Sequence, residues 1–574
     1  MTALSIATSV TTGRRQLANL RQRSLLVAKW RVLWVAALFA VIALCALMRI
    51  ALLGVVQPAP RSQSMEDALL PRRGEIVDRN GEPLARAFTA YSLWFNPKAM
   101  GDGAPLVRSP QQVAAALVRI FPDMNQADLV ERLGSGRPGY LRKRIMPEDA
   151  NRIHALGEPA LEFPREYERF YPQGSMAAHV LGFVGADGHG RVGMEEVYDE
   201  RLNDPLSRGE STVLSIDTRV QGALEDELMR GIRDTNAKGA AGVILDVDTG
   251  EVLALASLPS FNPNLIDDAG TPNIFNRVTN QVYELGSTFK PITVAAALDA
   301  GTITDLGKRY PSGHPLSIGG FQIRDGHAMG ASLNVPETLI HSSNVVTAQI
   351  ADELGGVRFK KTMETLGMNE RPYIELPARG FPIWPRGAWA RITTMTVSYG
   401  HGIAVTPLHL ASAYAALVNG GIWRPATLVK IEPGRAPAGR RVFKASTSAR
   451  MRQMLRMIVE FGTGRRANAP GFRVGGKTGS AEKPGVGGYK RSSVVSTFAA
   501  AFPMDRPRFV VIAMLDEPQG TAASSGQRTA GFTSAPVVGR VVPRIGPLLG
   551  VMPDETRDVD ISDLYSLVPG SRKE

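Results

Sequence analysis

Cysteine is almost missing from this chain. One residue, Cys45, serves all 574 positions. It sits inside an apolar run near the N-terminus, so no disulfide, thiol nucleophile or cysteine-ligated metal is expected beyond that run. Histidine is scarce too. The eight histidines show no His-Glu-x-x-His or comparable ligand spacing, so neither a metal nor another cofactor is expected. Tandem repeats and long low-complexity linkers are absent. Hydrophobic residues make up 44% and charged residues 21%, which describes a globular protein. A broad basic face is also missing. The net charge is +12, but Arg14, Arg15, Arg21, Arg23, Lys29 and Arg31 supply six of those charges in a stretch without acids. The remainder is mildly basic, so nucleic acid is not an expected partner.

The run around Cys45 is "VLWVAALFAVIALCALM", Val32 to Met48, followed by Arg49 and "IALLGVV". It has the length of one membrane-spanning helix, expected over 32–56. The basic flank precedes it, so residues 1–31 are expected in the cytoplasm and the rest outside. A cleaved signal peptide is the competing reading. The long charged region and the lack of a small-residue cleavage site favour an uncleaved anchor.

The rest divides near residue 215. Segment 57–215 is turn-rich and carries no chemical constellation, so a non-catalytic stalk is expected. Within it "PRRGEIVDRNGEPLA" places an Asn80-Gly81 turn between short apolar runs, a hairpin signal. Segment 216–574 opens with "SIDTRVQGALEDELMRGIRD", a helix with Asp217 as N-cap. "AAGVILDVDTGEVLALAS" reads as a hairpin about an Asp-Thr-Gly turn. Helical patterns fill most of 283–420, and "STFAAAFP" and "RFVVIAMLDEP" read as buried strands. Strands at both ends with helices between them predict an α/β (α+β) domain around a largely antiparallel sheet.

Two Ser-x-x-Lys matches compete for a chemical role. Ser287 opens "STFKPITVAAALDAG", a helix pattern with Pro291 in its first turn and Gly301 past its end. Residues three apart share a helix face, so Lys290 is expected to reach the Ser287 hydroxyl. Ser480 lies in "GGKTGSAEKPGVGGY" with no helix around it, so Lys483 need not face it. A free lysine is protonated at neutral pH and makes a poor base. Burial and a second cation lower its pKa, so a serine–lysine site calls for another lysine and a hydroxyl relay. "GGKTGS" offers Lys477, Thr478, Gly479 and Ser480; "HSSN" offers Ser342 and Asn344. Ser260-Phe261-Asn262 and Ser332-Leu333-Asn334 are decoys for the latter, the second reading as a helix cap.

The ordered set of Ser-x-x-Lys, Ser-x-Asn and Lys-Thr-Gly is that of penicillin-binding proteins and class A β-lactamases. The chain resembles class B penicillin-binding proteins over nearly all of the segment after the anchor. "RRGEIVDRNGEPLA", "GRVGMEEVYD" and "STVLSIDTRVQ" are similar to the family's stalk and junction motifs. "YELGSTFKP", "HSSN" and "KTGSAEKP" are similar to its three active-site motifs. "SYGHGIAVTPLHLASAYAALVNGG" looks like the division-type branch. Leu285, Val346 and Ser480 stand where the family often has Pro, Gly and Thr; Ser480 keeps a hydroxyl.

The resemblance implies a penicillin-binding transpeptidase fold and a peptidoglycan D,D-transpeptidase at the division septum, with β-lactams as covalent inhibitors. It implies Ser287 as nucleophile, Lys290 as base, Ser342 and Lys477 as a proton relay, and Asn344 as a holder of the substrate amide. Thr478 and Ser480 would bind the terminal carboxylate beside Gly479, and backbone N–H groups of Ser287 and Ser480 would form an oxyanion hole. A membrane-embedded division glycosyltransferase and other divisome proteins are implied partners, and the inner membrane with a periplasmic catalytic domain is the implied location. An elongation-type transpeptidase, a D,D-carboxypeptidase and a β-lactam sensor are the alternatives.

Overall fold

The computed structural model describes residues 29–49 and 73–568, apart from 102, 186, 208, 267–272 and 486–487. The chain forms two compact units, 1–70 and 71–574. In the first, the helix Lys29–Arg49 is long and apolar enough to cross a membrane. Its side chains, Trp34, Leu38 and Phe39 among them, are exposed all round. Such a surface is suited to lipid rather than water. Residues 50–56 of the expected span lie outside the described residues.

The second unit begins with the anticipated hairpin. Ile76–Val77 pairs antiparallel with the start of a long strand, Pro83–Phe95. Gly81 takes a φ of 89° in the turn. The buried Asp78 does more than close it. Its carboxylate accepts from Asn80 N–H at 2.7 Å, Glu82 N–H at 2.9 Å, and both Thr218 N–H and Thr218 Oγ1, at 3.1 and 2.9 Å. Ile76–Val77 also pairs in parallel with Thr212–Val213. The "VDRNG" turn therefore pins the stalk to the first helix of the following segment. Beside it, buried Glu195 accepts from Arg73 Nε at 2.8 Å and Arg169 Nε at 2.6 Å.

That first helix, α1 (Thr218–Thr235), is capped by Asp217, whose side chain accepts from Arg219 N–H. Two strands follow, β1 (Gly239–Asp246) and β2 (Val252–Leu258). Then come α2 (Lys290–Asp299), α3 (Val335–His341), α4 (Asn344–Leu354), α5 (Pro407–Val418) and α6 (Ala445–Phe461). Three strands close the sheet: β3 (Gly475–Gly485), β4 (Gly488–Phe502) and β5 (Phe509–Asp516), with α7 (Ser534–Ile545) after them. The sheet order is β2-β1-β5-β4-β3, and every neighbouring pair is antiparallel.

Both faces of the sheet are covered, which explains why its strands read as unbroken apolar runs. Along β5, Val510, Ile512 and Met514 enter the core shared with α2, α4 and α5. Val511, Ala513 and Leu515 enter the core under α1 and α7. The period of two thus survives, although both sets are apolar. Helix α5 is buried on every side, in keeping with its largely apolar sequence. Strands β2 and β3 are the two edges of this sheet, and the site is built on the outer edge of β3. Ile512→Ala, at the centre of the sheet, is expected to lower unfolding free energy by about 2–5 kcal/mol; the shift of the denaturant midpoint measures it.

Candidate active site

Ser287 lies in a single 3-10 turn, Gly286–Phe289, that runs directly into α2. Pro291 sits in the first turn of α2 and Gly301, with φ 70°, follows its end. The turn is clamped by its surroundings. Gly286 N–H donates to Gly400 O at 3.3 Å, and Tyr414 Oη of α5 donates to Thr288 O at 2.8 Å. Gly286, the residue before Ser287, has φ 56°, a left-handed value that suits glycine.

Lys290 points inward and is wholly buried. Its Nζ does not bond Ser287; it donates to Ser342, to the carbonyl oxygen and to Oγ at 3.1 Å. Lys477, equally buried, donates from Nζ to the same Ser342 Oγ at 2.9 Å. It also donates to Thr478 O at 3.1 Å and Thr478 Oγ1 at 3.2 Å. The sequence led us to expect Lys290 at the Ser287 hydroxyl; in the structure its nitrogen is hydrogen-bonded to Ser342, at the end of another helix.

Two amines on one hydroxyl, out of water, cannot both keep an ammonium charge at low cost. Burial, and next the charge of Lys477, hold the Lys290 pKa well below its usual value, against the pull of Asp325. Burial lowers Lys477 to about 7. The pair titrates as a unit, and a neutral amine with a free lone pair is its chemical product. Ser342 Oγ accepts from both sides and keeps its own hydrogen to donate.

Ser342 reaches this position because it ends α3 with φ 64°. Ser343 then caps α4, its Oγ accepting from Val346 N–H at 3.1 Å. Asp325 completes the cap. It accepts from Ser343 Oγ at 2.8 Å, Asn344 N–H at 2.5 Å and Val345 N–H at 3.1 Å. Asn344 Nδ2 donates to Arg324 O at 3.0 Å, which fixes the amide and leaves its Oδ1 to accept.

The opposite wall is β3. An added Cβ on Gly479 would lie 2.3 Å from Leu285 O and 2.8 Å from Thr288 Cγ2. Glycine there lets the strand lie against the Ser287 turn. One residue on, Ser480 O is 3.2 Å from the corresponding point on Gly286. In a strand, one residue's N–H and C=O face the same edge. Ser480 N–H therefore faces the Ser287 turn as well. Ser480 Oγ accepts from Ala530 N–H at 2.9 Å and retains a hydrogen for an anion. Thr478 Oγ1 bonds Thr463 Oγ1 at 2.7 Å. Lys483 is engaged elsewhere, with Asp516 and, at 2.9 Å, Glu517. The second Ser-x-x-Lys is thus no nucleophile–base pair.

The fold brings Ser287, Lys290, Ser342, Asn344, Lys477, Thr478, Gly479 and Ser480 to one cleft wall or the other. Sequence reasoning missed Asp325, Thr463 and Gly400. Asp325 caps a helix that begins 19 residues later, beyond any local capping pattern. No group of three or more metal-binding side chains occurs among the described residues.

The fold and a serine backed by paired lysines define a serine acyltransferase built on an antiparallel sheet. Residues 240–541 match the penicillin binding protein transpeptidase domain, and residues 68–230 match the penicillin-binding protein dimerisation domain. The chain is 40% identical over 489 residues to the probable peptidoglycan D,D-transpeptidase FtsI of Caulobacter vibrioides, covering 83% of this chain and 82% of that one. It is 30% identical over 508 residues to peptidoglycan D,D-transpeptidase FtsI of Escherichia coli, covering 84% of each. A crystal structure of penicillin binding protein 3 from Mycobacterium tuberculosis with aztreonam superposes with a TM-score of 0.65. That likeness covers 86% of this chain and 99% of the other at 24% identity, and speaks for the fold. The chain belongs to the class B penicillin-binding proteins, in their division-type branch.

Gly479→Ala is expected to push β3 off the Ser287 turn and slow acylation by a penicillin at least about tenfold, in line with the steep cost of misplacing reacting groups. Stopped-flow acylation rates measure it, with circular dichroism confirming that the fold persists.

Proposed function

We propose that this chain cross-links peptidoglycan as a D,D-transpeptidase, acting through a Ser287 acyl-enzyme. One observation carries the reading: two buried lysines converge on Ser342 Oγ beside the turn that bears Ser287. The names of the FtsI relatives as peptidoglycan D,D-transpeptidases support the substrate class.

Neutral Lys290 takes the Ser287 proton as Oγ attacks the carbonyl between the two terminal D-alanines of a stem peptide. Ser287 N–H and Ser480 N–H receive the developing oxyanion; losing one such donor costs about 10²–10³ in rate. Asn344 holds the substrate amide. The Thr478 and Ser480 hydroxyls, with Lys477 behind them, bind the terminal carboxylate. As the C–N bond breaks, the proton passes through Ser342 to the leaving D-alanine. An amine of a second stem then attacks the ester, which restores Ser287. A β-lactam enters the same cycle and stops at the acyl-enzyme.

The segments follow as residues 1–31 cytoplasmic, 32–56 in the inner membrane, 57–215 a stalk, and 216–574 the periplasmic transpeptidase. Division-site placement, with a membrane-embedded glycosyltransferase and other divisome proteins as partners, extends the division-type reading. A fluorescent penicillin is expected to label the chain. Ser287→Ala should abolish the label and Ser480→Ala should retain part of it; labelling of the Ser287 variant at the wild-type level would sink the assignment.

A further inference from the structure

The second half of the reaction poses a problem that the lysine pair does not solve. An attacking amine arrives in water as an ammonium ion. Forming the amide removes two protons from it. Lys290 has room for one, which it returns to Ser287 Oγ as the ester C–O bond breaks. The other needs a separate acceptor at the cleft mouth, neutral at working pH.

His401 meets these requirements by placement. It follows Gly400, whose carbonyl receives Gly286 N–H, so it stands one residue from the strap that holds the Ser287 turn. Its own N–H donates to Thr396 O at 3.1 Å, which fixes the backbone. The ring lies 5.3 Å from Tyr399, tilted against it, and 5.8 Å from Tyr489, edge to face, centroid to centroid. Tyr489 is held in turn by Glu284, with Oη 3.0 Å from both carboxylate oxygens. Glu284 also accepts from Gly402 N–H at 3.1 Å, so one carboxylate fixes the loop on both sides of the ring.

The ring is half-buried, and its Nδ1 is enclosed. An enclosed Nδ1 leaves Nε2 as the nitrogen that an incoming ligand can meet. Burial lowers the ring's pKa, Tyr399's backbone opposes this, Lys290 lowers it further and Glu482 opposes it again. The titratable groups about the ring are thus Tyr399 and Glu284 from the surrounding loops, Tyr489 of β4, Glu482 of β3 and Lys290 of α2.

We propose that His401 is the proton acceptor for the incoming amine, Nε2 taking one ammonium proton before the amine attacks the Ser287 ester. This rests on the transpeptidase reading above. The C–N bond then forms, the C–O bond to Ser287 breaks, and the amine's second proton reaches Ser287 Oγ through Lys290. The imidazolium releases its proton to solvent.

The test uses the full chain in detergent with a thioester analogue of acyl-D-alanyl-D-alanine. Two acceptors are compared at neutral pH: D-alanine, which enters as an ammonium, and hydroxylamine, which is weakly basic and enters largely neutral. His401→Phe keeps a ring between the two tyrosines, and His401→Gln checks it. Both variants are expected to keep penicillin acylation within about twofold. Transfer to D-alanine, measured against hydrolysis of the acyl-enzyme, should fall on the order of 10²-fold, the range of a lost general base. Transfer to hydroxylamine should change little, and raising the pH should restore D-alanine transfer. An equal loss with both acceptors, no loss with D-alanine, or a matching loss of acylation would each overturn the assignment. Failure of the wild-type chain to acylate at all would strike the transpeptidase reading instead.

Discussion

Everything in the cleft turns on the contest of two lysines for one serine hydroxyl. Lys290 and Lys477 approach Ser342 Oγ at 3.1 and 2.9 Å, with both side chains sealed from solvent. Desolvation makes each ammonium costly, and their mutual repulsion makes a second charge costlier. The result is a lysine near Ser287 whose pKa is held well below the usual value without any histidine.

That contest survives only if three chain segments hold register. α3 must end in a left-handed residue, α4 must start at once, and β3 must lie against the Ser287 turn. Each condition has an identifiable support. Asp325 caps α4, Gly479 and Gly286 permit the close approach of β3, and Tyr414 holds Thr288 from the buried α5. The antiparallel sheet supplies the rigid base. Its strands are packed on both faces, so β3 can lean on β4 while its outer edge serves the site.

Much of this was legible in the sequence because it is local. Pro291 and Gly301 bracketed α2, Asp217 capped α1, and glycine-rich context kept Ser480 out of any helix, although its place in β3 was not foreseen. Helix spacing put Lys290 on the face of Ser287. What it could not give was the side-chain partner, because Ser342 lies 52 residues away along the chain. Asp325 and Thr463 escaped for the same reason: their contacts exist only after folding. The "VDRNG" hairpin was read as a turn, and its second task, fastening α1 through Asp78, appears only in three dimensions. His401 was passed over because a lone histidine between glycines has no spacing to mark it.

The protonation state of the lysine pair is the most direct test. Lysine Nζ nitrogen resonances, assigned with Lys290→Arg and Lys477→Gln, would be followed by NMR as pH is raised. Each group is charged below its pKa and neutral above it. Lys290 is expected to lose its proton well below the pH at which an ordinary lysine does, and Lys477 at about 7. Replacing Lys477 by Gln should move the Lys290 transition to higher pH by removing the neighbouring charge. Two ammonium signals that persist unchanged to pH values near the ordinary lysine pKa of about 10.4 would contradict the account.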